Sequence, residues 1–195
     1  MYPLVYFVRH GQTGWNAEQR LQGQADTDIT PLGRSQADRN GRRLAELIDR
    51  PGEFDFVASP LRRTRETMER VRVAMGLPAQ GYRTDARLVE VHFGAWQGFT
   101  LAELEATAPG STAARARDKW DFVPPGDDGE SYEMLLNRVR PWFGELTRPT
   151  ICVTHGGVLR VAFRLVENMP SFQAAALEIP QDRVLRLQGG CLEWL

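Results

Sequence analysis

The sequence predicts a single α/β domain with a mostly parallel, mixed central sheet that is flanked by helices on both faces. Short apolar runs alternate along the chain with segments whose apolar residues recur at helical spacing. The chain has 195 residues, of which 42% are hydrophobic and 25% charged. This length supports one well-buried core and is short for two. With no internal repeat and no linker-like stretch, residues 1–195 are interpreted as one domain.

Strands are predicted where short apolar runs are bounded by turn or cap residues. The predicted strands cover residues 3–8, 54–58, 150–154, 176–179 and 183–187. Because helical patterns alternate with these runs, we expect a largely parallel sheet.

Helix starts are marked by cap residues. Thr30 followed by Pro31, and Ser59 followed by Pro60, are typical of an N-cap with proline at the first helical position. The helices predicted from such signals cover residues 31–48, 60–75, 132–139 and 158–165, and a further one begins after Thr100. Pro141 is expected to bend or end the third of them.

Composition excludes several classes of function. A formal net charge of -1 argues against a dedicated nucleic-acid binder. We see neither a membrane-spanning run nor a signal peptide, so the protein is expected to be cytoplasmic. Cys152 and Cys191 have no disulfide or metal spacing, and no cluster of ligand residues occurs, so neither a metal nor a cofactor is expected. The sequence does not indicate an oligomeric state.

Three predicted strands end in unusual residues. The strands are followed by Arg9-His10-Gly11, by Ser59-Pro60-Leu61-Arg62 and by His155-Gly156-Gly157. Since the carboxyl ends of parallel strands meet at one edge of a sheet, we expect these residues to converge there.

Their chemistry favours a phosphate site. A single histidine at a strand end is usually a hydrogen-bonded turn or core residue, but here two of them, each followed by glycine, accompany Arg9 and Arg62. Guanidinium groups donate paired hydrogen bonds to a tetrahedral oxyanion and keep their charge. Glycine allows the backbone to approach the ligand, and a helix N-terminus adds N–H donors.

Five motifs occur in a fixed order between residues 9 and 160: RHGQTGWN, SPLRRT, LVEVHFGAWQG, GES and THGGVLR. Together they resemble the histidine phosphatase superfamily, also called the phosphoglycerate mutase-like family. An isolated RHG is a weak signal, whereas five ordered motifs are very specific. The resemblance implies a phosphoglycerate mutase-like fold, a pocket at the carboxyl ends of the strands, and a lid-like insertion over about residues 91–130.

The resemblance also implies the roles of individual residues. His10 would be the nucleophile that forms a phosphohistidine, and Glu90 would protonate the leaving group, which requires a carboxyl group that is protonated near neutral pH. Arg9, Arg62 and His155 would hold the equatorial oxygens of the phosphoryl group. The full set expected to bind phosphate or substrate is Arg9, Asn16, Gln22, Gly23, Arg62, His155 and Gly156.

Two further titratable residues lie near Glu90 in the sequence. Asp85 is an alternative acid, but it lies outside any motif. His92 is expected to have a structural or modulating role instead of a catalytic one.

The sequence therefore predicts a metal-independent phosphomonoesterase that acts on a small phosphorylated metabolite. A phosphoglycerate mutase is the alternative, and a non-catalytic phospholigand-binding module comes third. The segment between Glu90 and His155 is shorter than in glycolytic mutases of the resembled family, which favours the phosphatase. The nucleophile and the acid are both present, which argues against a binding-only module. No residue selects the physiological substrate.

Overall fold

The computed structural model describes residues 2–195 as one α/β domain built on a six-stranded sheet. The strands are β1 (Val5–Arg9), β2 (Asp55–Ala58), β3 (Arg83–Thr84), β4 (Thr150–Thr154), β5 (Val184–Gln188) and β6 (Cys191–Trp194). Their order is β3-β2-β4-β1-β5-β6. The first four strands are parallel, and β5 and β6 are antiparallel additions at one side. The predicted mixed, mostly parallel sheet is confirmed.

Helices cover both faces of this sheet. Within residues 2–195 they are α1 (Gly14–Ala17), α2 (Pro31–Leu47), α3 (Arg62–Ala74), α4 (Leu101–Thr107), α5 (Ala113–Arg117), α6 (Tyr132–Gly144), α7 (Gly156–Val166) and α8 (Ser171–Ala176). Phe7 packs with α6 and α7 in one buried cluster, whereas Val8 packs with α2 and α3 in another. Alternate residues of β1 thus serve opposite faces, as the pleat of a strand requires. None of the helices described has the length and apolar composition of a membrane span.

The strand predicted over residues 176–179 is wrong. Helix α8 extends to Ala176, and the segment that follows has no regular structure. Its carbonyl groups bind side chains instead of a neighbouring strand: Leu177 O accepts from Arg160 Nε at 3.0 Å and Ile179 O accepts from Arg9 Nη1 at 2.6 Å. The apolar side chain of Ile179 is buried, which explains the strand-like pattern.

Two predicted helix boundaries also differ from the structure. Helix α3 begins at Arg62 and not at Pro60, because the Ser59 hydroxyl is bound to His155 and the Asp26 carboxylate caps the Arg62 N–H at 2.9 Å. Helix α6 continues through Pro141 to Gly144. The residues after this proline, Trp142 and Phe143, are both buried, and burial of two large aromatic side chains offsets the lost hydrogen bond.

The loop after β1 packs closely against the start of α2. A Cβ atom on Gly11 would lie 2.2 Å from Gly33 O, and one on Gly33 would lie 2.3 Å from Gln12 O. Thr30 N donates to Gln12 O at 2.7 Å, and Gly11 N donates to the Thr67 hydroxyl at 3.0 Å. This close backbone contact fixes the chain immediately after Arg9-His10.

Substituting Gly33 tests this contact. Gly33→Ala should lower the free energy of unfolding by about 2 kcal/mol, because the added methyl group meets backbone that cannot rotate away. Gly144→Ala is the matched control, since no atom lies within 4 Å of its added Cβ. In the control, we expect the free energy of unfolding in urea to stay the same or to rise by up to about 1 kcal/mol. Equal stability of the two variants would contradict the close packing of the loop after β1 against the start of α2.

Candidate active site

His10 and His155 lie side by side at the carboxyl edge of the sheet. Arg9 of β1 is paired with Thr154 of β4, so the residue after each strand reaches the same place. The two imidazole centroids are 5.2 Å apart, and both rings are buried. The parallel register thus brings together the two histidines that the strand ends suggested.

The hydrogen bond of His10 determines its tautomer. Nδ1 lies 2.8 Å from Gly11 O. A carbonyl oxygen only accepts, so Nδ1 carries the proton and Nε2 has the free lone pair. Burial, and after it the positive charges of Arg63 and Arg9, hold the pKa of His10 well below its ordinary value. The ring is therefore neutral and nucleophilic at Nε2 near neutral pH.

Arg62, which the sequence placed at the phosphate site, lies outside it. Its side chain is 64% exposed and pairs with Asp28 at 2.8 Å, and its backbone N–H is capped by Asp26. These contacts give both aspartates a loop-ordering role. Arg62 is the first residue of α3 and does not line the pocket that contains His10.

The neighbouring Arg63 takes the inward position. It is fully buried, and its guanidinium donates to Gly23 O and to Ala25 O, both at 2.6 Å. The signal that reveals it is helical spacing, because Arg63 lies one turn before the buried Thr67. The sequence predicted Arg62 as the phosphate ligand, whereas the structure buries Arg63 and exposes Arg62.

Nitrogen atoms without a partner collect around His10. The buried side-chain atoms of residues 2–195 that lack a hydrogen bond are Arg9 Nε, Arg63 Nε, His155 Nδ1 and Trp142 Nε1. The positive charges of Arg9 and Arg63 contribute to the lowered pKa of both His10 and His155, and the His155 ring lies beside His10. Trp142 lies in the core. Burial lowers the pKa of each arginine to about 10, so both stay charged at neutral pH. Two cations and three free nitrogens suit a tetrahedral anion.

Glu90 is held at the N-terminus of α7. Its two carboxylate oxygens accept from Gly157 N at 3.0 and 3.1 Å, and Oε1 also accepts from Val91 N at 2.9 Å. A Cβ atom at position 157 would lie 2.1 Å from Oε1, so only glycine permits this approach. Glu90 and His10 line one pocket of about 190 Å³.

Arg138 and Glu130 support the backbone that carries Glu90. Arg138 donates to the carbonyl groups of Arg87, Val89 and Glu90 at 2.8, 3.0 and 3.2 Å. The same guanidinium pairs with both oxygens of Glu130 at 3.0 and 2.8 Å. This ion pair gives the GES motif a physical role, since its glutamate orients the arginine that holds the segment.

Asp85 and His92, the other titratable residues of this segment, have structural contacts. The Asp85 carboxylate binds Arg87, which lowers its pKa, and it does not line the catalytic pocket. His92 Nδ1 accepts from Gly94 N at 3.0 Å, and its backbone N–H donates to Glu130. Neither residue lines the pocket that Glu90 shares with His10.

Asn16 faces the pocket from the capped turn of α1. Its Oδ1 accepts from Thr13 N at 3.1 Å and from Gln181 Nε2 at 3.0 Å. With Oδ1 occupied, the Asn16 amide NH₂ is the group left to donate to a ligand. Gln181 also donates to His10 O at 3.0 Å. Gln181 is not recognisable from the sequence, because nothing in its surroundings forms a motif.

The remaining predicted ligands are Gln22, Gly23 and Gly156. All three line the pocket. Gln22 is buried and donates through Nε2 to Thr13 and Thr27 at 2.6 and 2.5 Å, which orders the loop. Gly23 has a φ of 54° and presents its carbonyl to Arg63. Gly156 begins α7, where an added Cβ would lie 3.5 Å from Arg9 Nε.

Three cations at the rim of the pocket are not among the ligands predicted from the sequence. Arg115, Lys119 and Arg160 have no carboxylate partner among the residues described. Burial, then the charges of Arg160 and Arg115, lowers the pKa of Lys119 to about 8. The Lys119 ammonium donates to Ala175 O at 2.6 Å. Because α5, α7 and the loop after α5 supply these cations separately, their convergence is a tertiary property.

A cluster of metal ligands was not expected from the sequence. Over residues 2–195, no group of three or more histidine, cysteine, aspartate or glutamate side chains is placed to hold a metal ion.

Comparison with known proteins identifies the family. The model of the histidine phosphatase superfamily (branch 1) matches residues 5–190. Glucosyl-3-phosphoglycerate phosphatase of Mycobacterium tuberculosis is 35% identical over 179 residues, which cover 85% of this chain and 76% of that protein. A probable phosphoglycerate mutase, GpmB of Salmonella paratyphi C, is 30% identical over 197 residues, covering 98% and 87%.

A solved structure agrees with these matches. The native structure of a mycobacterial glucosyl-3-phosphoglycerate phosphatase superposes with a TM-score of 0.78 at 31% identity, covering 95% of this chain and 90% of that chain. The ordered motifs, the strand-end pocket and these similarities agree: the chain belongs to the histidine phosphatase superfamily.

Proposed function

We propose that this enzyme hydrolyses a small phosphomonoester through a phosphohistidine on His10, without a metal or cofactor. The supporting observation is the set of free buried nitrogens of Arg9, Arg63 and His155 next to a neutral His10. Donors that are already buried and oriented stabilise developing phosphoryl charge without reorganisation. The proposal includes the cytoplasmic location expected from the sequence.

In the first step, His10 Nε2 attacks phosphorus in line with the ester oxygen. The N–P bond forms as the P–O bond to the leaving group breaks. Arg9, Arg63 and the His155 ring bind the three non-bridging oxygens. A protonated Glu90 gives its proton to the departing alkoxide. Arg63 here replaces Arg62 in the role that the sequence suggested.

In the second step, water replaces the leaving group. The Glu90 carboxylate takes a proton from the water as its oxygen attacks phosphorus, and the N–P bond breaks to return neutral His10. The Ser59 hydroxyl lies 2.8 Å from His155 Nε2. When that hydroxyl donates, the His155 proton is on Nδ1, where it can bind a phosphoryl oxygen.

The rim cations favour a substrate with a second negative charge. Arg115, Lys119 and Arg160 repel one another in the free enzyme: burial is the main cause of the lowered pKa of Lys119, and the positive charges of Arg160 and Arg115 add to it. A carboxylate on the leaving group would neutralise this repulsion. Relatives named glucosyl-3-phosphoglycerate phosphatase act on an ester of that kind. We therefore include carboxylated phosphate esters of the phosphoglycerate type in the proposal.

A mutase is the second candidate, because a probable phosphoglycerate mutase is among the relatives. It would use the same phosphohistidine and pass the phosphoryl group to a second hydroxyl instead of water. Product analysis in the trapping experiment separates the two activities.

Trapping the intermediate tests the mechanism. With an activated aryl phosphate and excess chelator, wild-type enzyme should release inorganic phosphate and carry an acid-labile, base-stable phosphoryl label after rapid quenching. His10→Ala should lose the label and at least about 10³-fold of the turnover. Loss of turnover in chelator, or a label that persists in the variant, would contradict the proposal.

The adjacent arginines provide a matched pair of variants. Arg63→Met should lower kcat/KM by about 10²–10³-fold and weaken inhibition by inorganic phosphate, because a buried donor to the phosphoryl group is lost. Arg62→Met should change both quantities less than about threefold, since the Arg62 side chain is exposed. Arg63→Lys serves if Arg63→Met is unfolded by circular dichroism. Equal losses of kcat/KM in Arg63→Met and Arg62→Met would refute the role of Arg63 as the phosphoryl ligand.

Leaving-group dependence tests Glu90. Glu90→Gln should slow the hydrolysis of alkyl phosphates at least about 10-fold more than that of p-nitrophenyl phosphate, because nitrophenolate departs without a proton. The measurement is kcat for a series of leaving groups of rising pKa, with wild type as reference. A parallel loss over the whole series would remove Glu90 from the acid role.

A further inference from the structure

A groove of about 590 Å³ adjoins the catalytic pocket, which has about 190 Å³. Arg9 and Arg160 line both cavities. Beyond them, the groove is formed by Glu178, Arg183 and Trp194. Sites for small molecules usually have roughly 300–1,000 Å³. The catalytic pocket is below this range, and a substrate that fills a site of ordinary size would extend past Arg160 into the groove.

The sheet register places the groove at the catalytic edge. Phe7 lies opposite Leu185, and Leu185 lies opposite Trp194. Cross-strand neighbours in antiparallel pairs point to the same face, so Trp194 lies on the same face of the sheet as Phe7. Arg9 is two residues further along β1 and therefore also lies on this face. Arg183, just before β5, links the ends of β5 and β6 because its guanidinium donates to Trp194 O at 2.9 Å. The groove is thus the continuation of the catalytic edge over β5 and β6.

The groove residues combine an aromatic surface with two charged side chains that have no ion-pair partner. Trp194 is half-buried and packs on Phe163, with ring centroids 6.4 Å apart. Glu178 and Arg183 are exposed and have no ion-pair partner in residues 2–195. A carboxylate accepts hydrogen bonds from hydroxyl groups, and a guanidinium donates to them. The C–H face of a sugar ring can pack against an indole while its hydroxyls reach such groups.

We propose that this groove is a subsite for a sugar ring carried by the leaving group of the substrate. The proposal rests on the proposed function, because it requires the phosphoryl group to lie beside His10. The sugar takes no part in bond cleavage. Its contacts with Trp194 and Glu178 add affinity, so their loss should raise KM and leave kcat nearly unchanged.

The test compares two substrates that differ only in the sugar: 3-phosphoglycerate and glucosyl-3-phosphoglycerate. Wild-type kcat/KM should be at least about 10-fold higher for the glucosylated ester. Trp194→Ala and Glu178→Gln should remove most of this preference through KM, and leave 3-phosphoglycerate within about twofold of wild type. Phe172→Ala is the control, because this side chain is 70% exposed on α8 and does not line the groove. Losses shared by both substrates, or an unchanged preference, would overturn the subsite.

Binding measurements separate this inference from the catalytic proposal. Calorimetric titration of His10→Ala with each ester should show tighter binding of the glucosylated one, and Trp194→Ala in the same background should abolish the difference. If wild type hydrolyses neither ester but this sugar-dependent binding is present, the proposed substrate fails and the sugar subsite stands. If the two esters bind equally well, the subsite is refuted whatever the turnover.

Discussion

The parallel pairing of β1 with β4 is the constraint on which the site depends. Its register aligns Arg9 with Thr154, and His10 N continues the ladder by donating to Thr154 O at 3.0 Å. His155 then becomes the N-cap of α7, and Gly157 in the first turn receives the Glu90 carboxylate. A shift of one residue would turn every β1 side chain to the opposite face. The proposed nucleophile, phosphate ligand and acid are therefore positioned by one pair of strands.

Buried positive charge at the same edge of the sheet is electrostatically unfavourable. Arg9 and Arg63 are charged groups buried next to two neutral histidines, and their partners inside the protein are mostly carbonyl groups. Burying charge without an opposite charge is unfavourable. Dense packing on both faces of the sheet, with Phe7 in one buried cluster and Val8 in the other, supplies the stability that holds these groups in place. A dianionic phosphoryl group supplies the missing counter-charge, which is why this arrangement suits binding and transfer.

The sequence was sufficient for β1, β2, β4 and β5 and for the two histidines, because strand periodicity and parallel strand ends are local signals. The two edge strands β3 and β6 were not predicted. The sequence failed where a tertiary contact outweighed a local pattern. Ser59-Pro60 resembles a helix start, but His155 occupies the serine hydroxyl, and the helix begins later with Arg63 facing inward. Residues 177–179 resemble a strand, but arginine side chains bind their carbonyl groups. Gln181 forms no motif, and its contact with Asn16 exists only after folding.

The site divides into a part set by the sheet and a part set by surrounding segments. The proposed phosphoryl contacts come from strand ends and helix N-termini, which have almost no freedom to change without loss of the fold. The proposed leaving-group contacts come from α5 and the loop after it, from α7 and from the chain beyond α8, where Lys119, Arg160 and Trp194 lie on three different elements. Such segments can vary in length and composition while β1 and β4 stay the same. Arg160 lines both cavities. A leaving group that binds this guanidinium would therefore lie directly beside the phosphoryl site. Substrate preference can thus diverge between relatives of this chain while the chemistry at His10 is retained.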